Sequence, residues 1–232
     1  MKTKEKRVFI DLEKRVFDVK NETMTRGAWW WWFWLFFFNN PKNPDKPRQL
    51  MILWSTKNVK EIKCNHLKIK LDHDITNKTN LDGAVAAWYF DGEKMHHNFL
   101  LEQCNVLLKE HGLLSKSKIS TSFTMKGKKS IVKIGKDMEF VATAEEKYDM
   151  TKPYHNSNTY IRNLGYSIIK VNHLDLKGKV DNKPINGSAY FQRVFVNSPS
   201  VPWYWGIIHF ESGALLTYTN FKMFAKNFKK DI

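Results

Sequence analysis

Ala28 to Phe38 reads A-W-W-W-W-F-W-L-F-F-F, 11 consecutive apolar residues with five tryptophans inside six positions. A helix that crosses a bilayer needs about 20 such residues, so this run is too short to cross as a helix. At about 3.3 Å per residue it suits one strand of a barrel or large sheet. Alternation then puts Trp29, Trp31, Phe33, Leu35 and Phe37 on one face and Trp30, Trp32, Trp34, Phe36 and Phe38 on the other. Neither set tolerates water. The run therefore predicts a strand buried on both sides, either between two packed layers or with one face lining an apolar cavity.

Outward from this strand, helical stripes are few, and short apolar or alternating runs are separated by Asn, Asp, Lys and Gly. Further strands are predicted over Leu50–Thr56, His66–Leu71, Ala84–Phe90, Asn98–Val106, Lys118–Met125, Ser130–Ile134, Glu139–Ala144, Tyr166–Val171, Ser188–Val196, Trp203–Phe210 and Ala214–Phe221. Turn chemistry lies between them, as in N-N-P-K-N-P-D-K-P after Phe38, D-G-E-K after Phe90, K-G-K-K at 126 to 129 and D-N-K-P at 181 to 184. Only Asp11–Val16, Val106–Gly112 and the tail from Phe221 read as short helices. The fold class is mainly β, made of antiparallel β-barrels. A boundary is expected in the polar stretch Tyr148–Asn158, giving an N-terminal β domain over 1–147 and a C-terminal one over 148–232, the second short for a closed barrel.

Composition narrows the partner. With 16 Phe, nine Trp and eight Tyr among 232 residues, the chain has more large rings than a minimal core needs, and rings line apolar cavities. The 38 basic and 23 acidic residues leave a net charge of +15. Only six of the basic residues are arginines, scattered along the chain like the lysines, and nucleic-acid reading favours Arg forks. A solvated surface, with weak contact to a membrane surface at most, is the simpler reading, and nucleic acid is not the expected partner. Cys64 and Cys104 lie 40 positions apart without ligand spacing, which reads as free thiols. No secretory leader is visible at Met1, so the expectation is a cytoplasmic protein. The D-H-D run at Asp72–Asp74 reads as a solvated loop, and adjacent His96 and His97 would point to opposite faces of a strand. No P-loop or G-x-G-x-x-G occurs. No metal or cofactor is expected.

The block from Gly187 to Asn220, G-S-A-Y-F-Q-R-V-F-V-N-S-P-S-V-P-W-Y-W-G-I-I-H-F-E-S-G-A-L-L-T-Y-T-N, carries a family likeness. Its order of Gly-x-Ala-Tyr, Asn-x-Pro, Trp-x-Trp-Gly, a Gly turn and a strand ending Tyr-x-polar resembles the carotenoid 1,2-hydratase and AttH-like group. The resemblance implies a pair of lipocalin-like β-barrels. It also implies where a hydratase site would lie, and there this chain departs from the pattern. The group's Asp-His-Asn-Trp-like string is replaced by Gln192, Arg193, Val194 and Phe195, and its Tyr-x-Asp by Tyr218 and Asn220. Hydration of an alkene needs an acid and a base, and of that set only Tyr218 is retained.

The same residues make a coherent pocket wall. Alternation places Phe191, Arg193 and Phe195 on one strand face, and a hairpin turning at Ser212 would set Tyr204 and Gly206 beside Asn220 and Tyr218. An Arg on an apolar strand is neutralised by a carboxylate, by water at a pocket mouth or by an anionic ligand head. The expectation is a protein that binds a hydrophobic small molecule, such as an isoprenoid, lipid or polyketide-like compound, through Phe191, Arg193, Phe195, Tyr204, Tyr218 and Asn220. The alternative is a hydratase, isomerase or cyclase with Tyr218 as its acid.

Overall fold

The aromatic run forms strand β1, Trp29–Phe38, with the bounds expected from sequence. The computed structural model describes residues 12–20, 22, 24–64, 66–71, 78–144, 154–161, 164–197, 203–210, 212 and 214–221. Along the chain follow β2 (Arg48–Lys57), β3 (Glu61–Cys64), β4 (Leu67–Lys70), β5 (Asn80–Phe90), β6 (Met95–Lys109), β7 (Gly112–Lys116) and β8 (Thr121–Lys126). Then come β9 (Lys129–Ile134), β10 (Met138–Thr143), β11 (Tyr154–Ile161), β12 (Leu164–Val180), β13 (Lys183–Asn197), β14 (Trp203–His209) and β15 (Leu215–Phe221). The main sheet runs β10-β9-β8-β7-β6-β5-β2-β1-β13-β12-β11, and β10 also pairs with β12, which closes a ten-stranded antiparallel barrel. β11 pairs only with the first part of β12, before a register shift between Val171 and Leu174.

Local chemistry sets the turns. Asp181 and Asn182 both take positive φ, +52° and +60°, in the two-residue turn that joins β12 to β13, a geometry that matches the twist of a hairpin. Asp91 accepts from the backbone N–H groups of Glu93 and Lys94 at 2.8 Å each and so fixes the β5–β6 turn. Between β8 and β9, Gly127 sits at φ +58°, a conformation that costs most residues steric strain.

Three expectations are corrected. Val106–Gly112 is the end of β6 and its turn into β7 rather than a helix, because Val106 and Leu108 alternate into the core while Leu107 pairs with Leu114 of β7. The boundary at 147/148 does not separate two barrels, since β12 and β13 close the same barrel as β1, β2 and β5 to β10, with β3 and β4 forming a separate two-stranded sheet. The chain divides instead into one compact unit up to Asn197 and a second from Ser198, whose described part is the β14–β15 hairpin. Finally, the two faces of β1 differ. Trp30, Trp32, Trp34, Phe36 and Phe38 are wholly buried inside the barrel, whereas Trp29, Trp31, Leu35 and Phe37 on the outer face are half-buried. The expected tail helix from Phe221 and the Asp72–Asp74 cluster lie outside the described residues. Among the described residues, no helix is long and apolar enough to cross a membrane.

The short helix expected near Asp11–Val16 is present at residues 12–17. With the described residues that follow it, 18–20, 22 and 24–28, it lies at one end of the barrel. Leu12, Val16, Phe17 and Val19 join the barrel's own core cluster, and the Phe17 ring lies 5.1 Å from that of Phe123 on β8. The Glu13 carboxylate meets Nδ1 of His111 at the β6–β7 turn and accepts the Gly127 N–H at 3.0 Å. Lys78 donates to the carbonyls of Lys20 and Glu22 at 2.6 and 2.9 Å.

Two outcomes are expected from this packing. Trp32→Ala should lower stability by about 3–5 kcal/mol, as for a fully buried ring, and Trp31→Ala by less than about half of that. Urea titration reads both, and equal losses would contradict the two-faced assignment of β1. Cys104, inside the core, has its thiol pushed up to about 12, chiefly by burial. Its folded-state value lies above the ordinary 9.0, so the fold favours the neutral thiol. The associated stability is complete below pH 9 and is lost as pH climbs toward 12. Cys104 should therefore resist iodoacetamide in native protein at pH 8 and react on unfolding.

Candidate ligand site on the inner face of the barrel

β1 lies between β2 and β13 and brings the inner face of each into contact with its own tryptophans. In register, Trp30 opposes Thr56 and Phe195, Trp32 opposes Trp54 and Arg193, and Trp34 opposes Ile52 and Phe191. The rings reach the far wall. Trp34 meets Phe191 at 4.8 Å and Phe123 at 5.1 Å, and Phe36 stacks on Phe140 of β10 at 4.3 Å. The middle of the barrel is thus a lattice of aromatic side chains, and the end beyond Trp32 is occupied by Val16 and Phe17 of the N-terminal segment.

Indole N–H groups separate this lattice into two kinds of site. Trp32 donates to the carbonyl of Val16 at 2.8 Å, Trp54 to Oγ1 of Thr121 at 2.7 Å, and Trp29, on the outer face, to the Ser55 hydroxyl. Thr121 is bonded in turn to the Ser115 hydroxyl at 2.5 Å. The Nε1 atoms of Trp30 and Trp34, in contrast, are buried with no hydrogen-bond partner.

Arg193 is the charged member of this face and is 1% exposed. Of the three neutralising arrangements open to it from sequence, the structure has the carboxylate. Arg193 Nη1 donates to Oε1 of Glu22 at 2.7 Å and Nη2 to Oε2, a bidentate pair. Its Nε is buried without a partner. Glu22 belongs to the N-terminal segment, so this ion pair ties the segment to β13. The neighbouring Thr25 hydroxyl donates to Asn197 at the end of the same strand. Glu22 was not among the residues singled out from sequence, and its distance of 171 positions from Arg193 explains why.

The other expected site residues lie in the second compact unit. The hairpin register places Tyr204 opposite Asn220 and Gly206 opposite Tyr218, as expected from alternation. The Tyr218 ring covers Gly206 so closely that a Cβ there would meet it at 2.4 Å. Tyr218 is 51% exposed. Phe191, Arg193 and Phe195 thus form one group inside the barrel, and Tyr204, Tyr218 and Asn220 form another on the hairpin. Among the described residues, no three His, Cys, Asp or Glu side chains are gathered as metal ligands would be. A cleft of about 460 Å³ runs along the seam between the N-terminal segment and β5–β6, with Phe17, Val19 and Leu108 as its floor and Lys14, Lys20 and Lys109 around it.

Removing one partner of a buried ion pair leaves the other charge uncompensated, at a cost of about 3–5 kcal/mol. Arg193→Ala should show a loss of that order in urea titration. Arg193→Met combined with Glu22→Met should recover most of it, because a well-packed apolar pair often matches a buried ionic one. A double variant no more stable than Arg193→Ala would deny the pairing.

No family model matches the chain, and no curated protein matches it in sequence. Among solved structures, it is similar to a provisionally assigned AttH from Nitrosomonas europaea, at 9% identity and a TM-score of 0.41. The match covers 87% of this chain and 65% of that one, so the chain spans less than two thirds of the length of that protein. A likeness of that degree carries neither a ligand nor an activity across.

Proposed function

We propose that the protein binds a hydrophobic small molecule on the inner face of its barrel, behind the N-terminal segment. The observation that carries this reading is the way one end of an aromatic-walled barrel is stopped by a separate piece of chain. That piece contributes four apolar side chains to the core, yet its attachments to the barrel are mainly polar: Glu13 with His111 and Gly127, Glu22 with Arg193, Thr25 with Asn197 and the Lys78 bonds. The bonds of its helical part exchange for water at a net cost of about 0.5–3 kcal/mol each, so residues 12–19 can withdraw without breaking any strand of the barrel, while the buried Glu22–Arg193 pair, costlier to part, stays in place. An apolar ligand of similar volume would replace the contacts that Val16 and Phe17 make. The seam cleft beside Phe17 and Leu108 marks where the segment would part from the wall.

Titration with the neutral dye N-phenyl-1-naphthylamine tests the reading. Binding should saturate, and raising the salt concentration should change affinity by less than about twofold, whereas a phosphate-driven contact weakens by orders of magnitude. Glu22→Gln, which loosens the segment, should bind the dye faster than the parent protein. Absence of saturable binding in both proteins would remove the proposal.

A further inference from the structure

Three of the buried polar atoms without partners among the described residues, Trp30 Nε1, Trp34 Nε1 and Arg193 Nε, come from one patch of the inner face. Trp30 and Trp34 stand one same-face step either side of Trp32, and Arg193 is the cross-strand partner of Trp32. Same-face neighbours on a strand are about 7 Å apart and paired residues on adjacent strands about 5 Å. All three groups are donors with no acceptor capacity. Buried polar groups in folded proteins nearly always have partners, and the other buried indoles of this barrel, Trp32 and Trp54, do have them.

From this patch, and resting on the binding role proposed above, we infer that the ligand is an apolar molecule carrying an uncharged oxygen acceptor, such as a ketone, aldehyde, ester or ether. The charge balance selects the class. Glu22 already occupies both Nη atoms of Arg193 and cancels its charge. A ligand carboxylate would add a second anion beside one cation in an aromatic interior, which desolvation opposes. A plain hydrocarbon would leave three donors bare. A neutral carbonyl oxygen has two lone pairs, brings no charge and accepts from two donors at once. The choice of head group therefore differs from the anionic one that an unpaired Arg193 would have favoured.

Calorimetric titration of the full chain with 2-ethylnaphthalene, 2-acetylnaphthalene and 2-naphthoate holds the apolar body nearly constant and changes only the head. The ketone should bind about tenfold more tightly than the hydrocarbon, by one to two hydrogen bonds to otherwise bare donors, and more tightly than the carboxylate. Trp30→Phe with Trp34→Phe keeps both rings and removes both N–H groups. In that variant the ketone's advantage over the hydrocarbon should shrink to about twofold or less. A measurement independent of the variant is the infrared carbonyl stretch of 2-acetylnaphthalene, which should move to lower frequency on binding to the unaltered protein. The inference is overturned if the hydrocarbon or the carboxylate binds as tightly as the ketone, if none of the three binds, if the advantage survives loss of both N–H groups, or if the stretch does not shift. Retained binding of N-phenyl-1-naphthylamine in any of these cases leaves the broader binding role standing, and its loss removes both.

Discussion

The barrel takes its register from β1. All ten of its residues pair with β2 on one side and with β13 on the other, so this strand joins the first half of the chain to a strand more than 140 positions later. A slip of one residue would send the five wholly buried rings to the outer face and the half-buried set inward. The rings hold that register strongly. Trp34 and Phe36 each pack against strands of the opposite wall, through Phe123 and Phe140, which fixes β8 and β10 at a set distance from β1. β10 then lies against β12, and the barrel closes.

Closing the sheet abolishes free edges along most of the barrel but leaves two open ends. At one of them the N-terminal segment uses the same residues that organise the wall. Trp32 donates to Val16, and its register partner Arg193 pairs with Glu22. The centre of β1 is therefore also the anchor of the segment, and packing and closure are coupled through a single cross-strand pair. The Arg193–Glu22 pair adds little net stability relative to an apolar replacement of equal volume, since burying both charges offsets most of their attraction. Its contribution is to orientation, because a bidentate fork accepts the carboxylate in one geometry.

Much of this architecture was legible in the sequence, for reasons that differ by element. The ends of β1 match the sequence reading because an eleven-residue apolar run bounded by Gly27 and by Asn39 is too short to cross a bilayer as a helix and is the right length for one strand. The short helix at 12–17 was found as well. β7, with only five residues, G-L-L-S-K, lacks the length for a period to show, and the sequence suggests no strand there; only its first residue, Gly112, falls in the stretch expected to be helical. The boundary was misplaced because Tyr148–Asn158 is polar, and polarity marks a linker only when the flanking strands do not pair with each other's neighbours. β12 and β13 do so, through β10 and β1. Arg193 was recognisable as a charged residue on an apolar strand. Its partner was not, since Glu22 precedes the first strand and only the folded chain brings it to β13.

What separates the inner patch around Trp32 from the rest of the core is the balance of its polar atoms. Near β8 the interior polar groups form a closed set, in which Trp54 donates to Thr121 and Thr121 bonds to Ser115, all buried and all satisfied. Filling a core with Leu or Phe would have required no such arrangement, so each indole in the wall brings a donor that must be answered. Trp32 is answered by the segment that stops the barrel and Trp54 by the wall itself. Trp30 and Trp34 flank Trp32, which donates to the segment, and their own donors are answered by neither. Donors beside a removable plug, rather than beneath it, can be satisfied only by something that enters with an acceptor of its own. The same accounting gives the plug its polar attachments: a segment held mainly by apolar contacts would compete with an apolar ligand on equal terms, whereas one tethered through Glu13 can yield the core volume of Val16 and Phe17 while water takes up its hydrogen bonds and Glu22 stays paired with Arg193.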